Sequence, residues 1–186
     1  MADVLAPQLA MSMNSLDVLP RLVLPEGYDL KSFAEGDAAA WEEIIHDSFG
    51  VEFSFAQSMA TSQHFRPERV KFIRFDGTPI ATASAWSTDD CIGYLHMVGV
   101  HSKHLGHGLG GQVSLAALYQ MASEGRTRVL LNTDDFRIPA IKTYLKLGFV
   151  PLLVHHNHIQ RWTSILTKIG RLDILRGLPN AYRESD

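Results

Sequence analysis

Residues 106–111 read Gly106-His107-Gly108-Leu109-Gly110-Gly111, with glycine at four of the six positions. That density costs backbone entropy, and a plain surface loop rarely carries it. It supplies positive φ and lets a ligand approach the main chain closely. Downstream, Leu109, Val113, Ala116, Ala117, Leu118 and Met121 mark a helix over residues 107–124, with Gly125 as its stop. Upstream, Cys91 to Val100 is an apolar run that reads as a strand. The stretch is therefore a turn from a strand into a helix. N–H groups in a first helical turn lack intrahelical partners, and the helix dipole is positive there. Such a turn can hold an anion, a pyrophosphate for example. The alternative is a tight, close-packed turn with no ligand.

Two nucleotide motifs are tested by the neighbouring residues. A phosphate-binding P-loop needs Lys and then Ser or Thr after its last glycine. Gly111 is followed by Gln112-Val113, so that reading fails. The dinucleotide pattern G-x-G-x-x-G matches Gly106, Gly108 and Gly111, and Asp134 follows a later strand. In that fingerprint, however, the glycines come directly after the strand. Here His101 to Leu105 intervene, and too little chain remains for a doubly wound sheet.

Outward from the turn, the chain reads as strands and helices in alternation. Tyr28 to Phe33 alternates apolar and polar residues as a strand. Asp37 is placed to cap a helix bearing Trp41, Ile44, Ile45 and Phe49, which Gly50 ends. Phe53 to Ala60 fits a second short helix. Arg69–Phe75, Pro79–Ser87 and Cys91–Val100 read as three antiparallel strands, joined by Asp76-Gly77 and Asp89-Asp90. Arg128–Asn132 is a strand, and Phe136–Leu147 a helix with Pro139 in its first turn and Gly148 at its end. Phe149 to Val154 begins a last strand, and Trp162, Ile165, Leu166 and Ile169 mark a C-terminal helix. The strand–helix–strand over 91–132 fits a parallel crossover. The expected class is α/β: a mixed, largely antiparallel sheet flanked by helices. Residues 1–18 show no period and read as a flexible tail, or as an arm laid on the body or on a partner. Residues 19–176 read as a single domain, and 177–186 as a polar tail.

The chain has 186 residues, 46% of them hydrophobic, with a formal charge of -3. No basic run calls for nucleic acid or an anionic membrane surface. Cys91 is the single cysteine, so an internal disulfide is excluded. With no basic signal sequence and no membrane-length apolar run, the expectation is a cytoplasmic protein.

The segment Val98-Gly99-Val100-His101-Ser102-Lys103-His104-Leu105-Gly106-His107-Gly108-Leu109-Gly110 resembles the acyl-CoA-binding motif of the GCN5-related N-acetyltransferase (GNAT) superfamily. That motif is a strand ending in alternating Val, a short loop, and then Arg or Gln-x-x-Gly-x-Gly or Ala. Gly108 and Gly110 match its small positions, and Leu105 stands where the family has Arg or Gln. A second family motif, Asn-x-x-Ala-x-x-x-Tyr-x-x-x-Gly-Phe, is matched by Ala140, Tyr144, Gly148 and Phe149, with Arg137 at the Asn position. Together the two motifs cover residues 91–150. Tyr94-Leu95-His96 through Val100-His101 bears a looser likeness to the aralkylamine acetyltransferases.

The resemblance implies acetyl-CoA as co-substrate and a small-molecule amine as acceptor. Leu105, Gly106, His107, Gly108, Leu109 and Gly110 would hold the pyrophosphate, and Val98, Gly99 and Val100 would pair with the pantetheine arm. Arg137 is expected to replace the missing side-chain grip, with Lys103, His104 and His107 as alternatives. Tyr144 is implied as the acid that protonates the leaving thiolate. A backbone N–H near Met97 to Gly99, exposed by a bulge, would serve the oxyanion. His96 is the first candidate for the base, because histidines in that strand play this role in aralkylamine-like members. Glu52, His46 and His158 are further candidates. Phe53, Phe55 and Phe65 suggest an apolar acceptor wall. His155, His156 and His158 lie in or near the last strands, where alternation places His156 and His158 on one face and three imidazoles could bind zinc; no Cys and no suitably spaced Glu supports that reading, and no metal is expected. The Met-rich N-terminal segment and the Trp162 helix would suit a homodimer. A non-catalytic acyl-CoA-binding or sensory domain is the alternative reading.

Overall fold

A computed structural model describes residues 7–87 and 91–177. The Asp89-Asp90 turn and the Pro179-Asn180 turn expected from sequence lie outside the described residues. The strands are β1 (Leu9–Met13), β2 (Tyr28–Ser32), β3 (Val70–Phe75), β4 (Thr78–Ser87), β5 (Ile92–Val100), β6 (Arg128–Thr133) and β7 (Val150–Leu152). The helices are α1 (Ala38–Phe49), α2 (Leu109–Ser123), α3 (Ile138–Leu147), α4 (His158–Lys168) and α5 (Asp173–Arg176). The architecture is thus mixed α/β. The chain forms two compact units, residues 14–129 and residues 1–13 with 130–186, and the division falls within β6.

In the first unit, β2 to β5 form an antiparallel meander, each strand pairing with the next. The β3–β4 turn places Asp76 at φ 47° and Gly77 at φ 80°, the two left-handed residues that a tight hairpin demands. Helix α1 buries Trp41, Ile44 and Ile45 against Phe55, Met59, Val70 and Phe72. It stops at Gly50 in the left-handed region, whose N–H donates to the His46 carbonyl. Of Phe53 to Ala60, expected as a short helix, Ala56–Ala60 forms one π-helical turn. Asp37 precedes α1 as expected, but its carboxylate does not cap the helix. It accepts from the Ala34 N–H at 2.8 Å and takes both oxygens to Arg74 of β3, at 2.9 and 2.8 Å. An arginine pair outcompetes a neutral cap because both partners are ionised and the contact is two-pronged.

Helix α2 buries residues all round, from Leu109 to Met121, so its apolar residues form no single stripe. Its far end closes with Gly125 at φ 78°, whose N–H donates to the Ala122 carbonyl. Chain preceding β2 is tied along this helix: Val23 N–H donates to Gln112, and the Tyr119 hydroxyl to the Pro20 carbonyl.

In the second unit, β1 pairs antiparallel with β7, Ala10 opposite Leu152. Leu9–Met13 is buried at every position. Of the two readings of the N-terminal segment, the arm laid on the body describes these five residues. Helix α3 has Pro139 in its first turn and ends at Gly148, φ 103°. The final strand stops at Leu152, short of the expected Val154. His155 and His156 lie in the turn that follows, and His158 begins α4.

Candidate functional site

Strand β5 carries an irregularity at its centre. Ser84 of β4 faces His96 and Thr82 faces Gly99, so Met97 and Val98 together oppose Ala83. This is a β-bulge, and Met97 sits in it at φ 49°. Two glycines report its consequence. Gly93 and Gly99 are six residues apart and would share a face of an uninterrupted strand. A Cβ on Gly93 would instead meet Met121 of α2, and one on Gly99 would meet Ser48, Ile44 and Ile45 of α1. The bulge therefore turns the strand over. Tyr94 and His96 face the α1 side before it, and Val100 faces α2 after it, 3.6 Å from where a Cβ on Gly110 would stand. The extra residue also shifts the pairing register at Met97–Val98, in the segment where sequence placed an exposed N–H.

His96 is half-buried, with Trp86 at 5.6 Å and Tyr94 at 5.8 Å between ring centroids. Burial lowers its pKa to about 4. The imidazole is thus neutral at pH 7 with a lone pair to offer. At that pKa the ring is a neutral but weak proton acceptor. Beside it, Ser84 Oγ and Thr82 Oγ1 are buried, and neither has a partner among the described residues. Buried hydroxyls of this kind are commonly satisfied by ordered water.

Past Val100 the chain enters a short 3-10 turn, Ser102–His104. Asp47 of α1 anchors it, accepting from the Ser102 hydroxyl at 3.0 Å and from the Ser102 N–H. These bonds, with the positive charge of His101 and Lys103, hold the Asp47 carboxyl below its usual pKa against the opposing effect of burial, the largest contribution. Gly106 (φ 85°) and Gly108 (φ 72°) then turn the chain into α2 through left-handed conformations. Neither has any atom within 4 Å of a hypothetical Cβ, so packing does not explain these glycines. The first helical bonds run from the Gly111 and Gln112 N–H groups to the Gly108 carbonyl, at 3.1 and 3.3 Å. The N–H groups of Leu109 and Gly110 precede them. Leu109 is buried as the helix's first anchor, and Leu105 is 63% exposed. His107 Nδ1 lies 3.3 and 3.2 Å from the His104 and Leu105 carbonyls. This first-unit segment brings together His96, Val98, Gly99, Val100 and the whole of Leu105–Gly110.

The other two expected site residues belong to the second unit. Arg137 is the N-cap of α3; its Nε donates to Asp134 at 3.0 Å, and its guanidinium lies over the Phe136 ring. Tyr144 is buried, 7% exposed, with its ring edge-on to Phe149 at 6.0 Å. The Phe149 N–H donates to the Tyr144 carbonyl across Gly148, so the second motif is a helix stop that fixes its tyrosine.

Other expectations change. Phe55 is a core residue, stacked on Phe33 at 4.7 Å, and Phe65 packs edge-on against both. Phe53 is half-buried beside Phe49. His156 and His158 do not share a strand face, because β7 has ended before them. Among the described residues, no three His, Cys, Asp or Glu side chains are grouped to hold a metal ion. No described helix is long and apolar enough to cross a membrane. Sequence reading expected a bulge near Met97 to Gly99 but not the positive φ at Met97, and it missed Asp47, whose partner lies 55 positions away.

Comparison with known proteins places this geometry in context. A model of the acetyltransferase (GNAT) family matches residues 38–149. Mycothiol acetyltransferase from Thermobispora bispora is 30% identical over 146 residues, covering 70% of this chain and 49% of its own length. The protein of the same name from Nocardia farcinica is 30% identical over 149 residues, with 72% and 48% covered. The chain spans about half the length of the curated relatives it matches. Among solved structures, a GCN5-related N-acetyltransferase from Sphaerobacter thermophilus superposes with a TM-score of 0.61 at 22% identity, covering 79% of this chain and 50% of that one. One from Kribbella flavida gives 0.59 at 23% identity, covering 79% and 55%.

Proposed function

The chain belongs to the acetyltransferase (GNAT) family, and from that premise we propose that it transfers the acetyl group of acetyl-CoA to a small-molecule primary amine. The observation that carries the reading is the sequence of a bulged strand and a left-handed glycine turn on one segment. The turn would offer N–H groups to a pyrophosphate, and the bulged backbone at Met97–Val98 would supply a donor where a thioester oxygen gains charge. Val98 and Val100 would pair their backbone with the amide-rich pantetheine arm. The relatives named mycothiol acetyltransferases favour a small-molecule acceptor over a protein.

In this reaction the neutral amine nitrogen attacks the thioester carbonyl carbon. A C–N bond forms and the C–S bond breaks. The thiolate takes a proton from the Tyr144 hydroxyl, and the proton lost by the amine passes by way of His96 to water. Burial keeps His96 neutral, and so open to a proton, at pH 7. Arg137 adds positive charge near the start of α3, and its pairing with Asp134 limits that contribution.

The test is CoA-thiol release from acetyl-CoA across a panel of amines. Wild-type protein should release thiol only with an accepted amine. Tyr144→Phe should lower kcat about 100-fold, the lower end for a general acid, with little change in the KM for acetyl-CoA. Full turnover by Tyr144→Phe rejects the acid assignment. Tight CoA binding without turnover on any amine selects the non-catalytic acyl-CoA-binding reading.

A further inference from the structure

Where the family motif has Arg or Gln, this chain has Leu105, which is largely exposed and whose side chain can donate nothing. Five side chains are candidates to make up the deficit, and their partners separate them. Arg137 is engaged by Asp134. His101 sits between two carboxylates, Glu43 at 3.8 Å and Asp47 at 3.9 Å. His107 spends Nδ1 on the carbonyls of its own loop. Lys103 is exposed, with nothing described that orients its ammonium.

His104 is different. Its Nδ1 lies 3.0 Å from the Tyr28 hydroxyl. A phenol is the stronger acid and an imidazole the stronger base, so the O–H donates and Nδ1 accepts. The ring proton then sits on Nε2, on the far edge from Tyr28. Tyr28 is itself held in place: it starts β2 opposite Phe75, and the two rings lie 4.9 Å apart. Phe75 also packs on the His104 ring at 5.3 Å. Burial, and then the charges of His101, His107 and Lys103, lower the pKa of His104. At pH 7 the group is a neutral N–H donor in a fixed orientation, chemically the equivalent of a glutamine amide.

We propose that His104 is the side-chain donor to the CoA pyrophosphate in this chain, taking over from the residue lost at Leu105, and that Tyr28 is a positioning residue which fixes its Nε2–H tautomer. The assignment rests on the acetyl-CoA reading above. A hydrogen bond to a charged phosphate sets the scale of the effect.

Calorimetric titration with CoA tests it on five proteins: wild type, His104→Phe, His104→Gln, Tyr28→Phe and the Tyr28→Phe/His104→Gln double variant. Thermal melts establish that each is folded. His104→Phe keeps the ring packing and should weaken CoA about tenfold. His104→Gln keeps a neutral donor and should stay within about twofold of wild type. Tyr28→Phe should weaken CoA about threefold beside His104 and have no effect in the His104→Gln background, since an amide has no tautomer to fix. Wild-type affinity in His104→Phe overturns the donor assignment. An equal cost of Tyr28→Phe in both backgrounds overturns its positioning role and makes Tyr28 a packing residue. Failure of the wild type to bind CoA overturns the acetyl-CoA reading itself, and so is distinguishable from both.

Discussion

His101–His107 and His155–His158 carry three histidines each, yet the fold uses them in opposite ways. In the first stretch the rings ride on a glycine-rich turn. Each is directed by a different partner: carboxylates for His101, a phenol for His104, backbone carbonyls for His107. In the second stretch they close a turn between a strand and a helix. His155 accepts from the Asn157 N–H and lies tilted against His156 at 4.0 Å between ring centroids, while His158 is fully buried. Its Nδ1 lies 3.4 Å from the Leu152 carbonyl, and its Nε2 is buried with no partner among the described residues. Histidine content alone therefore says little about chemistry. The partner atom and the exposure decide whether an imidazole is offered to a ligand or committed to the core.

The difference can be broken most directly at His158. His158→Ala should cost about 2–3 kcal/mol of stability, because it empties a fully buried site. Urea unfolding measures the loss, and CoA affinity of the folded variant should be unchanged. A stable variant that loses CoA binding would instead make the second stretch a ligand site. A smaller effect sharpens the comparison at His96, on the strand that leads into the first stretch. Its folded pKa of about 4 lies below the ordinary 6.5, so on acidification the unfolded chain takes up the proton first. Stability from this group is present above pH 6.5 and is lost as the pH falls toward 4. Between pH 6.5 and 5.5 the loss should be about 1 kcal/mol more in wild type than in His96→Gln. Parallel pH profiles of the two proteins would show that His96 is not buried in the way described.

Much of the fold was legible because it is written in local chemistry. Gly50, Gly125 and Gly148 each take the left-handed conformation at or just past a helix end, and Asp76-Gly77 makes its hairpin. The glycine turn was legible for the same reason. What escaped depends on distant partners. Leu9–Met13 has no alternation because all five residues are buried, and a strand covered on both faces leaves no period-2 signal. Asp37 looked like a cap until Arg74, 37 positions on, claimed its carboxylate. Gly99 hinted at a bulge, but the residue that takes the positive φ is Met97, which no propensity marks. The departure at Leu105 was visible at once, and its compensation was not. Tyr28 lies 76 residues from His104, and only the meander of β2 and β3 brings the phenol to the ring.

The central claim is that the turn at Gly106–Gly110 serves an acyl-CoA and not a dinucleotide, although its glycines match both patterns. Calorimetric titration of the wild-type protein with acetyl-CoA and, separately, with NADH tests it most directly. The account predicts saturable binding of acetyl-CoA at one site per chain and none of NADH. Binding of NADH with no binding of acetyl-CoA would contradict it.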